Sequence, residues 1–530
     1  MMKKMVSIMA LIMTAIMLLS GCGGVNRAAA PEAPTGSGGR KVLDVSFMYW
    51  NIPAEEDQMF EDFQEMFDVK LSYITATNAD YYEKLGLLAA TNELPDFFMA
   101  NAWNDRPFFF KLINEGMVRD VPQKMIDKYE QARKTFEVNW MYKYEDKWYY
   151  WPKLDRNDWA FSNSLHYIVR SDYMKNLGLQ QPETWDDFTN LLYAMANDDP
   201  DGNGIKDTYG ITWEAYYMID SLVYFFFQGS GWVYTDGKWQ LGLFTEGGKQ
   251  ATKWMRQLYQ DGVIEPEYVL FDLKANEKFT LGQVAVTPYS NNITNMIWGR
   301  QTVFDLIKPD SPTDDYIDVL KMPSSPSGKK FWQAATGATG GGNMFSSKVD
   351  DEKMERLAEI HNFLSTPEGY ARVYYGIEGE HYELNPNGTL TSLLPENANG
   401  EVAFIRHFPW GDRFRQLVFW NNNGVSTIRN PNATDWDIEL YKRGQEWYTP
   451  SALKNTSWVG YTPIEELVEF ALEEYGEDRV TEIVVSNNDF DSMWEKFVSD
   501  AYANKPIQVV TDAVNAAAAA NNIDPADYMP

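Results

Sequence analysis

The densest run of potential ligand atoms is Asp199-Pro200-Asp201-Gly202-Asn203-Gly204-Ile205-Lys206-Asp207. Oxygen-bearing side chains stand at the first, third, fifth and ninth places, and the seventh offers a backbone carbonyl. Gly204, in sixth place, supplies the sharp turn that lets such a loop close on itself. Calcium takes roughly six to eight hard oxygens on a curved backbone. The spacing therefore predicts a calcium site built from Asp199, Asp201, Asn203, the Ile205 carbonyl and Asp207. Where helix-loop-helix calcium sites carry a bidentate Glu, this chain has Gly210, which leaves Thr208 or water to complete the shell. The expected role is structural, pinning the loop that follows a helix.

Other chemistries find little support. The four histidines, His166, His361, His381 and His407, form no His-Glu-x-x-His pair, and no Gly-x-Ser-x-Gly elbow is present. His361 follows Met354, Leu357 and Ala358 on one helical face and reads as a core-edge residue. Gly337-Ala338-Thr339-Gly340-Gly341-Gly342 lacks the Gly-Lys-Ser/Thr ending of a phosphate loop and the spacing of a dinucleotide fingerprint, so it reads as a tight loop. A formal charge of −30 without a compact basic patch argues against nucleic acid as a partner. The single cysteine, Cys22, removes disulfides from consideration. It follows Leu19-Ser20-Gly21, behind Lys3, Lys4 and an apolar run from Met5 to Leu18 that is short for a membrane span. That arrangement resembles a bacterial lipobox, with cleavage before Cys22 and a lipid on its sulfur as the only membrane contact.

The surrounding elements must position these groups. Val25 to Arg40, rich in Ala, Pro, Gly and Ser, reads as a flexible tether. Leu43, Val45, Phe47 and Tyr49 alternate with Asp44, Ser46 and Met48, which predicts a strand. Met59, Phe60, Phe63 and Phe67 share one face of a helix over 54–67. Val69, Leu71 and Tyr73 form the next strand, and a helix over 81–90 leads to a third at Asp96 to Met99. Such alternation predicts a parallel sheet with right-handed crossovers, and ligands then bind beyond the carboxyl ends of the strands. A second α/β region begins near Leu165, with a capping box at Thr184-Trp185-Asp186-Asp187, a helix after Thr245 and a buried strand at Val284 to Val286. Helices are expected over 464–475 and 492–502. Aromatic residues make up 15% of the chain, with 19 Trp and 31 Tyr, more rings than a core alone needs. Rings with polar edges suit a surface that stacks on sugars.

Several segments together resemble extracellular solute-binding protein family 1, in particular its large calcium-loop branch, which includes alginate-oligosaccharide binders and Gram-positive carbohydrate-importer lipoproteins. They are Leu85 to Ala90 through Leu94-Pro95-Asp96, Lys147 to Pro152, Arg170 to Tyr173, Leu177 to Leu179, Pro182 to Phe188, the 199–210 loop, and Tyr375 to Tyr382. The branch commonly carries Glu after the last loop Asp, where this chain has Thr208. The resemblance implies an α/β, two-lobed periplasmic-binding-protein-like fold of type II, a sheet flanked by helices in each lobe, and hinge crossovers between them. It also implies an oligosaccharide ligand delivered to ABC permease subunits and their ATPase, no catalysis, and a monomer on the outer face of the cell membrane.

The expected divisions are a signal peptide (1–21), a lipid-anchored linker (22–40), a first lobe (41–160) and a second lobe (161–325). A return segment (326–400) rejoins the first lobe, and a helical stretch (401–530) completes the second. The strand-end argument selects Trp50, Asn51, Asn101 and Trp103 as ligand-facing on the first lobe, and Trp213, Tyr289, Asn291 and Trp298 on the second. Loop position adds Trp332, Glu380, Arg406 and Trp410. An anchored polysaccharide lyase or hydrolase, or a peptide-binding transporter component, would share many of these features.

Overall fold

The computed structural model describes residues 39–529 apart from 51–57, 78–79, 101, 140–142, 153–164, 271–273, 291–295, 297–298, 334–341, 387–389, 395–432, 449–451, 454–455, 457–458 and 460–474. The chain opens with β1 (Leu43–Trp50), α1 (Gln58–Phe67), β2 (Val69–Ala76), α2 (Tyr81–Ala90), β3 (Phe97–Ala100), α3 (Ala102–Asn114), β4 (Val118–Arg119) and β5 (Trp151–Pro152). A second run follows with β6 (Leu165–Arg170), α4 (Ser171–Leu177), α5 (Trp185–Asn197), β7 (Tyr209–Ile211), the hairpin β8 (Trp232–Thr235) and β9 (Lys238–Leu241), and α6 (Glu246–Gln260). Then come α7 (Ala275–Thr280), β10 (Val284–Ser290), β11 (Ile317–Val319), β12 (Gly342–Ser346), α8 (Asp351–Leu364), α9 (Phe490–Asn504) and α10 (Ile507–Ala520).

Two sheets result. The first has the order β2-β1-β3-β12-β4, with β5 also on β12. Strands β1, β2 and β3 are parallel, as alternation with α1 and α2 requires, whereas β12 arrives from far along the chain and runs antiparallel to β3. The alternating residues Leu43, Val45, Phe47 and Tyr49 are all buried, and so are Phe60, Phe63 and Phe67 on α1. Asp96 ties three elements of this lobe together. One carboxylate oxygen accepts from the Ser46 amide at 2.7 Å and its hydroxyl at 3.1 Å, and the other accepts from Lys353 Nζ at 2.8 Å.

The second sheet has the order β11-β6-β10-β7. Strand β10 is parallel to β7 and antiparallel to β6. Helix α5 begins with the predicted capping box: Thr184 Oγ1 accepts from the Asp187 amide at 3.1 Å, and the Asp187 carboxylate accepts from the Thr184 amide at 2.9 Å. Its Trp185, Phe188, Leu192 and Met195 are buried. Thr245 precedes α6 but makes no side-chain cap, because its hydroxyl donates to the Gly242 carbonyl at 2.6 Å. On α6, Trp254 is half-buried and reaches Thr189 Oγ1 through its indole N–H at 3.0 Å.

Each sheet has its own apolar core. The first gathers β1–β5, α1–α3, β12 and α8; the second gathers β6, β7, β10, β11, α5 and α6. The stretch expected to complete the second lobe is shared. Ile483, Val484, Trp494 and Phe497 join the second core, while Ala501, Ile507, Val510 and Val514 join the first. The helix expected over 464–475 lies almost wholly outside the described residues, and so does most of the glycine run at 337–342.

His361 is fully buried rather than at the core edge. Its Nδ1–H donates to the Leu357 carbonyl at 2.7 Å, so Nε2 accepts from Asn343 Nδ2 at 2.8 Å. The Asn343 carbonyl oxygen in turn accepts from the Tyr49 hydroxyl. Burial holds His361 down to about 4 and His166 down to about 3, against an ordinary value of 6.5. Both are neutral in the fold. Below pH 6.5 the unfolded chain takes up protons that the folded chain refuses, so this contribution is complete above pH 6.5 and declines as the pH falls towards those values. The expected loss at pH 5 is about 2 kcal/mol per histidine. Urea unfolding at pH 7 and pH 5 measures it, and His361→Gln should show the shallower pH dependence of the two proteins.

Candidate functional site

The carboxyl ends of β1, β2 and β3 lie at Trp50, Ala76 and Ala100, and β12 enters that same edge at Gly342 opposite Ala100. In the second sheet the corresponding edge carries Ser290, where β10 ends opposite Leu165, and Thr212-Trp213-Glu214 just beyond β7. Both edges are strand ends of the kind where open α/β sheets bind ligands.

The candidate residues divide by what surrounds them. Trp50 ends β1, Trp103 sits in the first turn of α3, and Trp332 lies in a short strand. Asn51, Asn101, Asn291, Trp298, Arg406 and Trp410 lie outside the described residues, as does Cys22. Trp213, expected as an open stacking platform, is only 1% exposed and packs edge-on against Tyr268 at 5.9 Å inside the second core. Tyr289 is also buried, with its ring 5.6 Å from Phe304 and its hydroxyl against Gly299. Both residues are core in this structure, because a position next to a strand end can face inward as readily as outward. Glu380 is exposed, in the turn between Gly376 and Tyr382, where Gly376 and Gly379 take φ of 87° and 84°. Thr77, beyond β2, exchanges hydrogen bonds with Asp80 ahead of α2, so its hydroxyl is engaged locally.

One polar group at the second edge carries no sequence signature. Glu214 Oε1 accepts from Asn276 Nδ2 at 2.9 Å, and its charge reaches the Tyr289 hydroxyl. A lone Glu beside a Trp has no spacing to mark it, and only the sheet places it there.

The 199–207 loop stands at the opposite end of the second sheet. Asp207 leads into the start of β7, and the Tyr209 amide donates to the Gln283 carbonyl just before β10. Asp199, Gly202 and Gly204 take φ of 53°, 71° and 79°, which curls the backbone. Asp199 accepts from the Asn203 amide at 3.0 Å and the Gly204 amide at 2.9 Å. Asn203 Nδ2 donates to Asp201 at 2.9 Å and to both oxygens of Asp207 at 3.3 Å. Two carboxylates are thus held about one donor group, as a small cation would hold them. Among the described residues no three carboxylate, imidazole or thiol side chains are gathered as a metal site. The donor set is nonetheless all oxygen and acidic, which suits calcium. Ile205 is exposed and only its carbonyl is available to a metal. Thr208, expected to complete the shell, is buried, and its hydroxyl points to the Gly282 carbonyl at 3.5 Å.

That carbonyl is a junction. It also accepts from the Tyr173 hydroxyl at 3.0 Å, and Asn176 Nδ2 reaches the Pro200 carbonyl at 2.9 Å. Gly282 has φ of 84°, and a Cβ there would lie 2.5 Å from the Tyr173 hydroxyl, so a larger residue would be strained and would displace that hydroxyl. Arg170 stacks 4.0 Å from the Tyr173 ring centroid and pairs with Asp172 through Nε at 2.8 Å. The loop is therefore fastened to α4 and to the starts of β7 and β10, at the opposite end of the sheet from Ser290 and Trp213.

Comparison with known proteins bears on this geometry. Residues 58–378 match the family described as bacterial extracellular solute-binding protein. The lipoprotein LipO of Bacillus subtilis is 30% identical over 240 residues, 43% of this chain and 46% of LipO, so the match spans less than half of that relative. The polygalacturonan/rhamnogalacturonan-binding protein YtcQ of Bacillus subtilis is 20% identical over 384 residues, 71% of this chain and 73% of its own. Among solved structures, the substrate-binding protein FusA of Streptococcus pneumoniae in complex with kestose superposes with a TM-score of 0.61 at 18% identity, covering 90% of this chain and 100% of FusA. An EF-hand mutant of FusA has also been solved. The fold is thus the α/β periplasmic-binding-protein-like fold.

Burial gives Trp213 a different role from the one its position suggested. Trp213→Ala should cost about 3–5 kcal/mol of stability, the range for emptying a large aromatic from a core. Denaturant titration measures it; a variant as stable as the parent would return Trp213 to the ligand surface.

Proposed function

Since the chain belongs to the bacterial extracellular solute-binding proteins, we propose that it captures an oligosaccharide between its two lobes and delivers it to the permease and ATPase subunits of an ABC importer. It is a binding protein and not an enzyme. The observation that carries the sugar reading is the likeness of fold to FusA, which spans 90% of this chain and all of that one and so takes in both lobes. Rings at the strand ends, with Trp50 and Trp103 on the first lobe and Trp298 on the second, would stack on pyranose or furanose faces. Carboxylates and carboxamides such as Glu214, Asn51 and Asn291 would hold hydroxyls, and a sugar lacking one of them would leave a buried group unpaired. Membrane attachment would run through a lipid on Cys22. Metabolic labelling with a fatty-acid precursor checks this, and label retained by Cys22→Ala would exclude that anchor.

The same reading assigns calcium to the 199–207 loop, placing the chain in the calcium-loop branch. Asp199, Asp201, Asn203, Asp207 and the Ile205 carbonyl would hold the ion. Bound there, calcium would neutralise the carboxylates that Asn203 bridges in this structure, and so stiffen the loop behind Gly282.

One thermal-shift experiment addresses ligand and metal together. Kestose, oligogalacturonides and a mixed-peptide pool are tested in millimolar calcium and in chelator. A ligand at about 100 times its Kd adds roughly 2.7 kcal/mol to stability, which raises the melting temperature by a few degrees. A rise with a glycan and none with peptides is expected; the reverse pattern would make the protein a peptide binder. Chelation should lower the melting temperature and Asp201→Ala should abolish that response. Identical melting with calcium and with chelator would reduce the loop to an ordinary turn.

A further inference from the structure

The strand-end edge of the second sheet carries negative charge. Glu214 stands just beyond β7 and is half-buried, with Oε1 accepting from Asn276 Nδ2 at 2.9 Å and from the Asn276 amide at 3.4 Å. Those two bonds seat the carboxylate at the head of α7, and both donors are neutral. Burial, together with the charges of Glu214 and Asp437, pushes the Tyr289 hydroxyl above its ordinary value, so it stays a neutral donor. Asp437 is itself fully buried and lies in the fork of Arg300, whose Nε reaches its two oxygens at 3.1 and 3.0 Å. Arg300 also meets Asp305 at 3.2 Å, so that guanidinium is committed to two carboxylates.

The first sheet adds the same sign at its own edge. Beyond β2, Asp80 accepts from the Thr77 hydroxyl at 2.7 Å, a bond that holds its carboxyl below the usual carboxylate range. Lys84 lies 3.8 Å from Asp80 and gives its Nζ to the Thr75 carbonyl at 2.9 Å. Lys274, at the head of α7, is a cation of the second edge, but it is exposed. Water and salt screen an exposed charge, whereas a half-buried carboxylate acts through a lower dielectric, so Glu214 outweighs Lys274. The formal charge of −30 on the whole chain repels anions at longer range.

We infer that these strand-end edges select uncharged, hydroxyl-rich oligosaccharides and reject uronic-acid ones, and that Glu214 is the residue that discriminates. The inference rests on the proposed capture of an oligosaccharide. A carboxylate at this place accepts from a sugar hydroxyl. A ligand carboxylate brought beside it meets like charge and offers no donor, so it is refused by repulsion as well as by a missing bond.

Isothermal titration of the full chain with kestose, raffinose, maltotriose and trigalacturonate tests this, at low salt and at about 0.5 M salt. At least one neutral trisaccharide should bind about tenfold more tightly than trigalacturonate at low salt, and the gap should narrow at high salt. Glu214→Gln keeps the oxygen that Asn276 bonds and removes the charge, so it should narrow the gap about threefold or more at an unchanged melting temperature. Trigalacturonate binding as tightly as the neutral sugars would overturn the inference and leave the sugar reading standing. A gap that Glu214→Gln does not narrow would take the discrimination away from Glu214. Failure of all four sugars to bind would remove the sugar reading, and this inference with it.

Discussion

A buried carboxamide holds the first lobe closed on itself. Strand β12 is separated from β1 by almost three hundred residues, yet it enters the first sheet between β3 and β4. Asn343, the second residue of β12, is fully buried, with its oxygen on Tyr49 and its nitrogen on His361. Unpaired, such a group would cost more than a neutral hydrogen bond contributes, so the bond to His361 and the bond to Tyr49 fix the register of β12 together. Phe97, Phe345 and Trp151 surround the histidine at 5.1–5.5 Å and keep water from the network. The return of the chain into the first lobe depends on this point, and so does the strand-end edge at which Gly342 lies opposite Ala100.

The second lobe is organised around a different constraint. A run of acidic residues must be brought close to a sheet without destabilising it. The chain places them beyond the starts of β7 and β10, exposed, and ties the loop down through uncharged groups: Thr208, Tyr173 and Asn176. The one buried guanidinium nearby, Arg170, is sandwiched by Tyr173 and Tyr316 and neutralised by Asp172. Carboxylate repulsion in the loop is thus separated from the strand ends that face the other lobe. The same separation puts the acidic loop at the base of the sheet, away from the edge that carries Ser290 and Trp213.

Two cores in one chain require crossings, and crossings expose the backbone to poor packing. Among the described residues, two of the crossings lie side by side. At the neck of the β8–β9 hairpin, glycines bring main chain into contact with main chain, and the Thr456 hydroxyl, which accepts from the Trp232 amide at 3.3 Å, closes its side. In α9 the crossing is made inside a helix, whose backbone hydrogen bonds are satisfied along its length whichever core it touches. Phe244 fills the space between them.

Local pattern alone determined a good deal of this. The period-two run from Leu43 to Tyr49, the helical faces of α1 and α5, the capping box at Thr184 and the curled loop at Asp199 to Asp207 all follow from neighbouring residues, and each is seen as expected. Those features rest on interactions within a few residues, and short-range spacing encodes them. The resembling segments also led to the bacterial extracellular solute-binding proteins at large, which residues 58–378 match. It did not determine which way side chains at strand ends turn. Trp213 and Tyr289 stand beside the ligand edge in sequence, and tertiary packing took both into the core. Nor did it reveal that Thr208 serves Gly282, that Asn343 meets Tyr49, or that the hairpin and the end of the chain share a core with the first lobe. Those contacts join residues tens to hundreds of positions apart, where no spacing rule links the partners, and only the folded chain brings them together.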